Sequence, residues 1–320
     1  MRGLWLEDLT LRLREDLPRP EPPPGEARID VLLAGICNTD LELAQGYYPY
    51  AGVPGHEFVG RVASSPSAPE WEGRRVVGEI NAACGACEPC RAGLRTHCDR
   101  RTVLGIKARD GCFAEALILP LDNLHAVPDS LTDEEAVFVE PTAAALQVQE
   151  QVKVTPGMRV VVVGVGKLGQ LVARTLALAG CDLVVIGRSR RSLDRLAGLP
   201  LRTALAPDPA PFKADLVVEC TGDPEGFRLA RRVVRPRGTI VLKSTHRGET
   251  VVDLSSVVVD EVTLVGSRCG PFPKALDVLA RRAVDTSSLV DARYPLTAAL
   301  EAFEHAARPG VLKVLLRPSS

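Results

Sequence analysis

Apolar and polar residues alternate with a period of two in much of the N-terminal part of the chain. Leu9, Leu11 and Leu13 alternate, and so do Ala27, Ile29, Val31 and Leu33, a series that stops at Gly35. Short apolar runs follow at residues 57–62, 75–80 and 114–119, separated by Gly and Pro clusters. This pattern predicts half-buried strands joined by turns. Residues 18–24 (PRPEPPP) predict a stiff surface connection.

From about residue 142 the pattern changes. Buried strands are predicted at residues 160–163, 183–186, 216–219, 239–242 and 263–265, with helical stretches between them, the first over 168–179. Alternating strands and helices predict an α/β fold, a doubly wound parallel sheet of the Rossmann type with helices on both faces. The tail predicts a helix at 296–307 and a last strand at 311–316. A length of 320 residues suits two domains better than one core.

The glycines sharpen this picture. Gly164-Val165-Gly166-Lys167-Leu168-Gly169 follows the first strand of the second part and opens its first helix. In that context the first glycine permits a tight turn and the second lets a pyrophosphate approach the backbone. The third lets helix and strand pack closely. A site for NAD would carry an acid at the end of the next strand, but the chain reads Gly187-Arg188-Ser189-Arg190 there. Guanidinium at Arg188 suits a 2′-phosphate, so NADP is the expected cofactor, with NAD as the alternative.

Cys84, Cys87, Cys90 and Cys98 stand at C-x2-C-x2-C-x7-C spacing in a loop-like stretch with Gly85, Pro89 and Gly93 between them. Four thiolates this close can close a tetrahedral shell, which is the pattern of a structural zinc site. His97 adjoins the last cysteine and could replace it as a ligand. No secretory signal is evident, so a cytoplasmic protein with reduced thiols is expected rather than one with disulfides. Net charge is −1 and no apolar run reaches the length of a bilayer span, so neither nucleic acid nor membrane is an expected partner.

A second set points to a second ion. Cys37 and His56-Glu57 lie near glycine turns, and Glu140 precedes Pro141 just before the nucleotide-binding part. Cys, His and a carboxylate are the ligand set of a catalytic zinc that keeps one position open.

With GICNTD (35–40), GHEFVG (55–60), the four-cysteine lobe, EPTAAAL (140–146) and GVGKLG (164–169) in this order, the chain resembles the zinc-dependent medium-chain dehydrogenases of the alcohol, sorbitol and threonine dehydrogenase type. The resemblance implies a β-rich, GroES-like catalytic domain from residues 1–141 and 267–320, with a zinc lobe at 84–98 and a Rossmann domain at 142–266. It implies two zinc ions per chain. Cys37 and His56 are then catalytic ligands, Glu57 a ligand or exchanging partner, and Glu140 the acid in place of a third cysteine. Thr39 would hydrogen-bond the substrate oxygen and relay its proton, while hydride passes between the alcohol carbon and the nicotinamide. Relatives place a His at the outer end of the relay; here Glu42 stands there. Lys313 is expected to approach the cofactor phosphates. The cofactor set is Gly164, Gly166, Lys167, Leu168, Gly169, Arg188, Ser189 and Arg190. The substrate is a small alcohol or polyol, or its aldehyde or ketone, and a homodimer or homotetramer is expected. Tyr47, Tyr48 and Tyr50 are a candidate substrate wall. Two other readings remain open: a zinc-free quinone or enone reductase of the same fold, and a non-catalytic NADP-binding sensor.

Overall fold

A computed structural model describes residues 1–206, 212–245 and 248–318. The chain divides into two units: Met1–Glu140 with Leu276–Ala280 and Leu289–Ser320, and Pro141–Ala275 with Arg281–Ser288.

The first unit is built on a seven-stranded mixed sheet. Its strands run in the order Val290–Pro295, Lys313–Arg317, Glu26–Gly35, Glu57–Ser64, Arg75–Gly78 and Leu124–Ala126, and Ala116–Pro120 pairs separately with Glu26–Gly35. The alternation at Ala27, Ile29, Val31 and Leu33 turns these four side chains into the core, and all are buried. The C-terminal strand Lys313–Arg317 pairs antiparallel with Glu26–Gly35, with Leu315 opposite Gly35, so both chain ends share one sheet. Glu57 also faces Gly35, from the other side. This register places Glu57 and the C-terminal strand on either side of one glycine.

The second unit holds a six-stranded, wholly parallel sheet in the order Arg202–Leu205, Asp182–Gly187, Arg159–Val163, Ala214–Glu219, Val234–Leu242, Thr263–Gly266. Counted along the chain this is 3-2-1-4-5-6, the doubly wound order that binds dinucleotides at the carboxyl ends of its strands. The central strands Arg159–Val163, Asp182–Gly187 and Ala214–Glu219 are near-continuous buried apolar runs, as expected of strands covered on both faces. Val161, Val163, Val184, Ile186, Val217 and Ile240 pack with Leu229, Ala230 and Val233 of the helix Pro224–Val233.

The second unit does not end at residue 266 but continues to Ala275. The segment after the last strand stays packed on the same unit: a Cβ at Gly270 would stand 1.8 Å from the Ala143 carbonyl oxygen. Among the described residues, no helix is long and apolar enough to cross a membrane.

Candidate active site

In the first unit the ligand atoms of Cys37, His56 and Glu57 lie within 4.8 Å of one another. Local structure delivers each of them. Cys37 caps the helix Asn38–Ala44, and its amide donates to Asp40 Oδ2 at 2.8 Å. His56 leaves a turn at Gly55, whose φ is +99° and whose absent side chain leaves room for Phe113: a Cβ there would meet the ring at 2.7 Å. Glu57 opens the next strand.

Asp40 ties the set together. Its Oδ1 lies 3.1 Å from His56 Nδ1, and both side chains are buried. The carboxylate thereby fixes the imidazole and leaves Nε2 for an ion, the usual outer support of a metal-bound histidine. Burial opposes a charge on His56, but Asp40 and then Cys37 outweigh it and hold the ring's pKa well above its ordinary value. Nearby Cys112 is a contrast: burial, then the charges of Asp40 and Glu57, push its thiol well up, and it donates to the Glu57 carbonyl instead of joining the cluster.

Lys313, expected at the cofactor phosphates, is paired with Glu57 within the first unit. Its ammonium is buried against the Glu57 carboxylate and lies 5.5 Å from the centre of the Phe138 ring. A buried lysine needs a counter-charge, and Glu57 provides it. Burial opposes the charge on Lys313, but Glu57, Cys37 and Glu140 raise its pKa overall. Glu140 acts on Lys313 in this way but is not brought into the cluster of three. Thr39 Oγ1 stands 3.9 Å from Cys37 Sγ, beside the cluster. Glu42 lies on the same helix and accepts from Asn38 Nδ2 at 3.5 Å. Tyr50 reads as packing, because its half-buried hydroxyl donates to the Val53 carbonyl at 2.6 Å.

Cys84, Cys87, Cys90 and Cys98 also gather within 4.8 Å, and His97 is not among them. The short helix Glu88–Arg91 and the positive-φ turns at Gly85 and Gly93 wrap the chain around this point. Cys87 Sγ is 3.4 Å from Cys90 Sγ and 3.7 Å from Cys98 Sγ. An ion about 2.3 Å from each sulfur sets edges of about 3.8 Å, so the four sulfurs fit tetrahedral zinc. Amides of Ala86 and Cys87 lower Cys84 to about 5, amides of Cys90 and Asp99 lower Cys87, and desolvation raises Cys90 to about 12.

In the second unit the three glycines divide their roles. Gly164 has φ +105° and lies against the Cys220 backbone, and a Cβ on Gly169 would stand 2.2 Å from the Gly164 carbonyl oxygen. Gly166 caps the helix Lys167–Ala177, and a Cβ there would meet nothing within 4 Å. That open side of a helix N-terminus suits a pyrophosphate. Lys167 and Leu168 form the first positions of the helix. Arg188 is largely exposed, 3.5 Å from Asp223, while Ser189 caps the helix Arg190–Asp194 by accepting the Ser192 amide at 3.3 Å.

Asp40 was given no role in the sequence, although it sits three residues after Cys37 at a helix start, where an acid normally caps. Nor does the sequence mark Glu219, Lys243 and Ser267. They are buried polar residues at the carboxyl ends of three successive strands, and Lys243 Nζ donates to Ser267 Oγ at 3.3 Å.

A β-rich unit with a cysteine–histidine–carboxylate cluster and a doubly wound dinucleotide fold, both in one chain, define the class as a zinc-type dehydrogenase. Family models agree: residues 23–129 match the alcohol dehydrogenase GroES-like domain and residues 167–281 the zinc-binding dehydrogenase domain. The chain is 30% identical to an L-threonine 3-dehydrogenase of Anaeromyxobacter sp. (strain K), over 82% of this chain and 80% of the relative. It is 28% identical to a sorbitol dehydrogenase of Halalkalibacterium halodurans, over 94% of each. A solved structure described as a zinc-binding dehydrogenase from Sinorhizobium meliloti 1021, bound to NADP, superposes with TM-score 0.89 at 27% identity over 99% of both chains. The chain belongs to the zinc-dependent medium-chain dehydrogenases, a family of oxidoreductases.

Proposed function

We propose that the protein oxidises an alcohol or polyol, or reduces the matching aldehyde or ketone, with a nicotinamide cofactor, NADP in preference to NAD. The observation that carries this reading is the clustering of Cys37, His56 and Glu57 within 4.8 Å, oriented by Asp40. A zinc ion held there by Cys37 and His56 supplies Lewis acidity toward the substrate oxygen. A second, in the four-cysteine lobe, is structural. Glu57, paired with Lys313, stands close enough to exchange with the other ligands. Thr39 accepts the proton of the substrate hydroxyl and passes it outward, and Glu42, three residues along the same helix, receives it. The nicotinamide supplies the hydride acceptor. Gly166 and the N-terminus of the helix Lys167–Ala177 hold its pyrophosphate, and Arg188 takes the 2′-phosphate.

The relatives named sorbitol and L-threonine 3-dehydrogenase support an alcohol-bearing substrate, and the NADP-bound neighbour supports the cofactor. Free cysteines suit a reducing cytoplasm. A homodimer or homotetramer is part of the proposal. Its support is the sheet-edge strand Thr263–Gly266, which carries exposed Leu264, and the exposed Val258 and Val259 of the preceding helix Leu254–Val259. A panel of alcohols, polyols and carbonyls, run with NADP and with NAD and read by nicotinamide absorbance, tests the activity. Turnover of one polyol or alcohol with NADP supports it; reduction of quinones or enones alone, without need of zinc, refutes it.

A further inference from the structure

Sites that bind a ribose diol hold its hydroxyls with a carboxylate at the end of the second strand of the nucleotide fold. In this chain that strand ends at Gly187. A Cβ at Gly187 would stand 2.3 Å from Val165 Cγ1, 3.1 Å from Val165 Cβ and 3.2 Å from Leu193 Cδ2. Val165 is the buried residue between the first two glycines of the phosphate turn. The strand end cannot easily retreat, because the Gly187 carbonyl accepts the Ala206 amide at 2.8 Å and the Ile186 carbonyl accepts the Gly164 amide at 2.8 Å. The phosphate turn and the strand end are therefore interlocked. An acid at 187 is missing from the sequence, and a side chain there would require Val165 to shift.

We infer that Val165 is a specificity-determining residue: it fills the socket from which a diol-binding carboxylate would reach the ribose. The inference rests on the NADP reading above. Attraction at Arg188 and closure at Val165 then act in the same direction, one toward the 2′-phosphate and one against the free diol. Specificity built from an attractive and an excluding element is a general device. Its consequence is that a carboxylate can work at 187 only when Val165 gives way. Val165→Ala would remove the 2.3 Å contact and leave the 3.1 Å contact to Cβ, which a small shift relieves.

The test is a cycle of Gly187→Asp, Val165→Ala and the double variant in the full chain. Dissociation constants for NADP⁺ and NAD⁺ are measured by calorimetry, without substrate. Gly187→Asp alone is expected to weaken both cofactors by about tenfold or more, since the turn must be displaced. Adding Val165→Ala is expected to tighten NAD⁺ by about tenfold or more over Gly187→Asp, in the range of one charge-assisted hydrogen bond, and to reverse the cofactor preference. The inference is overturned if Gly187→Asp alone gains NAD⁺ affinity, or if the folded double variant binds NAD⁺ no better than Gly187→Asp. If Gly187→Asp does not fold, Gly187→Ala replaces it: tighter cofactor binding on adding Val165→Ala supports the socket, and equal binding overturns it. Equal affinity of the unmodified protein for NADP⁺ and NAD⁺ refutes the NADP reading itself, and the cycle still judges whether Val165 and Gly187 are coupled.

Discussion

Lys313 and Glu57, 256 residues apart in sequence, form a buried ion pair beside the candidate zinc ligands. Gly35 makes the pair possible, because a Cβ there would stand 2.5 Å from Glu57 Oε2 and 3.3 Å from Lys313 Cδ. Lys313→Met leaves Glu57 buried with its partner gone, a change that costs about 3–5 kcal/mol. Denaturant unfolding should show that loss. The pKa of Lys313 is raised in the folded chain, so its contribution is complete below the unfolded value of about 10.4 and fades only as pH rises through the native value. The gap between the variant and the unmodified protein should therefore stay constant between about pH 7 and 9. A gap that closes within that range contradicts the pairing.

Asp40 touches both His56 and the Cys37 amide, so it should govern the metal without binding it. Asp40→Asn keeps the shape and removes the charge. Zinc affinity at the Cys37–His56 centre should fall by about 10- to 100-fold, as for other supports of metal-bound histidines. Competition with a chromogenic chelator measures it, and unchanged affinity would remove Asp40 from the account.

Thr39 and Glu42 divide the proton path. Thr39→Val should lower turnover by about 10²-fold or more, whereas Thr39→Ser should retain most of it. Glu42→Gln should slow alcohol oxidation, and small buffer bases should partly restore it. A Glu42→Gln variant with normal turnover and no response to buffer would mean that the proton leaves through water.

Arg188 is largely exposed, with Asp223 3.5 Å away, so its removal should disturb little besides the cofactor. Arg188→Ala should weaken NADP⁺ by about 10- to 150-fold and leave NAD⁺ within a few-fold. Fluorescence titration decides it; parallel loss of both cofactors would assign Arg188 to structure.

What the sequence made legible was local. The four cysteines fall within a stretch of 15 residues, and the structure gathers them. The glycine turn is six residues long, and its spacing alone assigns three distinct steric roles. Long-range partners were harder. Lys313 is one cation in a terminal strand, and nothing around it marks Glu57 as its partner. Asp40 was hidden because an acid at a helix start has an ordinary capping role, which here it combines with holding His56. The strand Arg202–Leu205 has no apolar run to mark it, being a short sheet edge of mixed polarity. Leu9, read as part of an alternating strand, sits with Asp8 in a two-residue turn, both at positive φ without glycine.

The most direct test counts zinc and turnover together. Protein purified without chelator should hold about two zinc ions per chain, one in each type of site described for zinc. Cys90→Ser should hold one and be less stable, because a structural zinc contributes to folding. His56→Ala should also hold one, keep its fold, and lose alcohol-dependent reduction of the nicotinamide. A His56→Ala variant that keeps full activity would contradict the catalytic zinc centre on which the account rests.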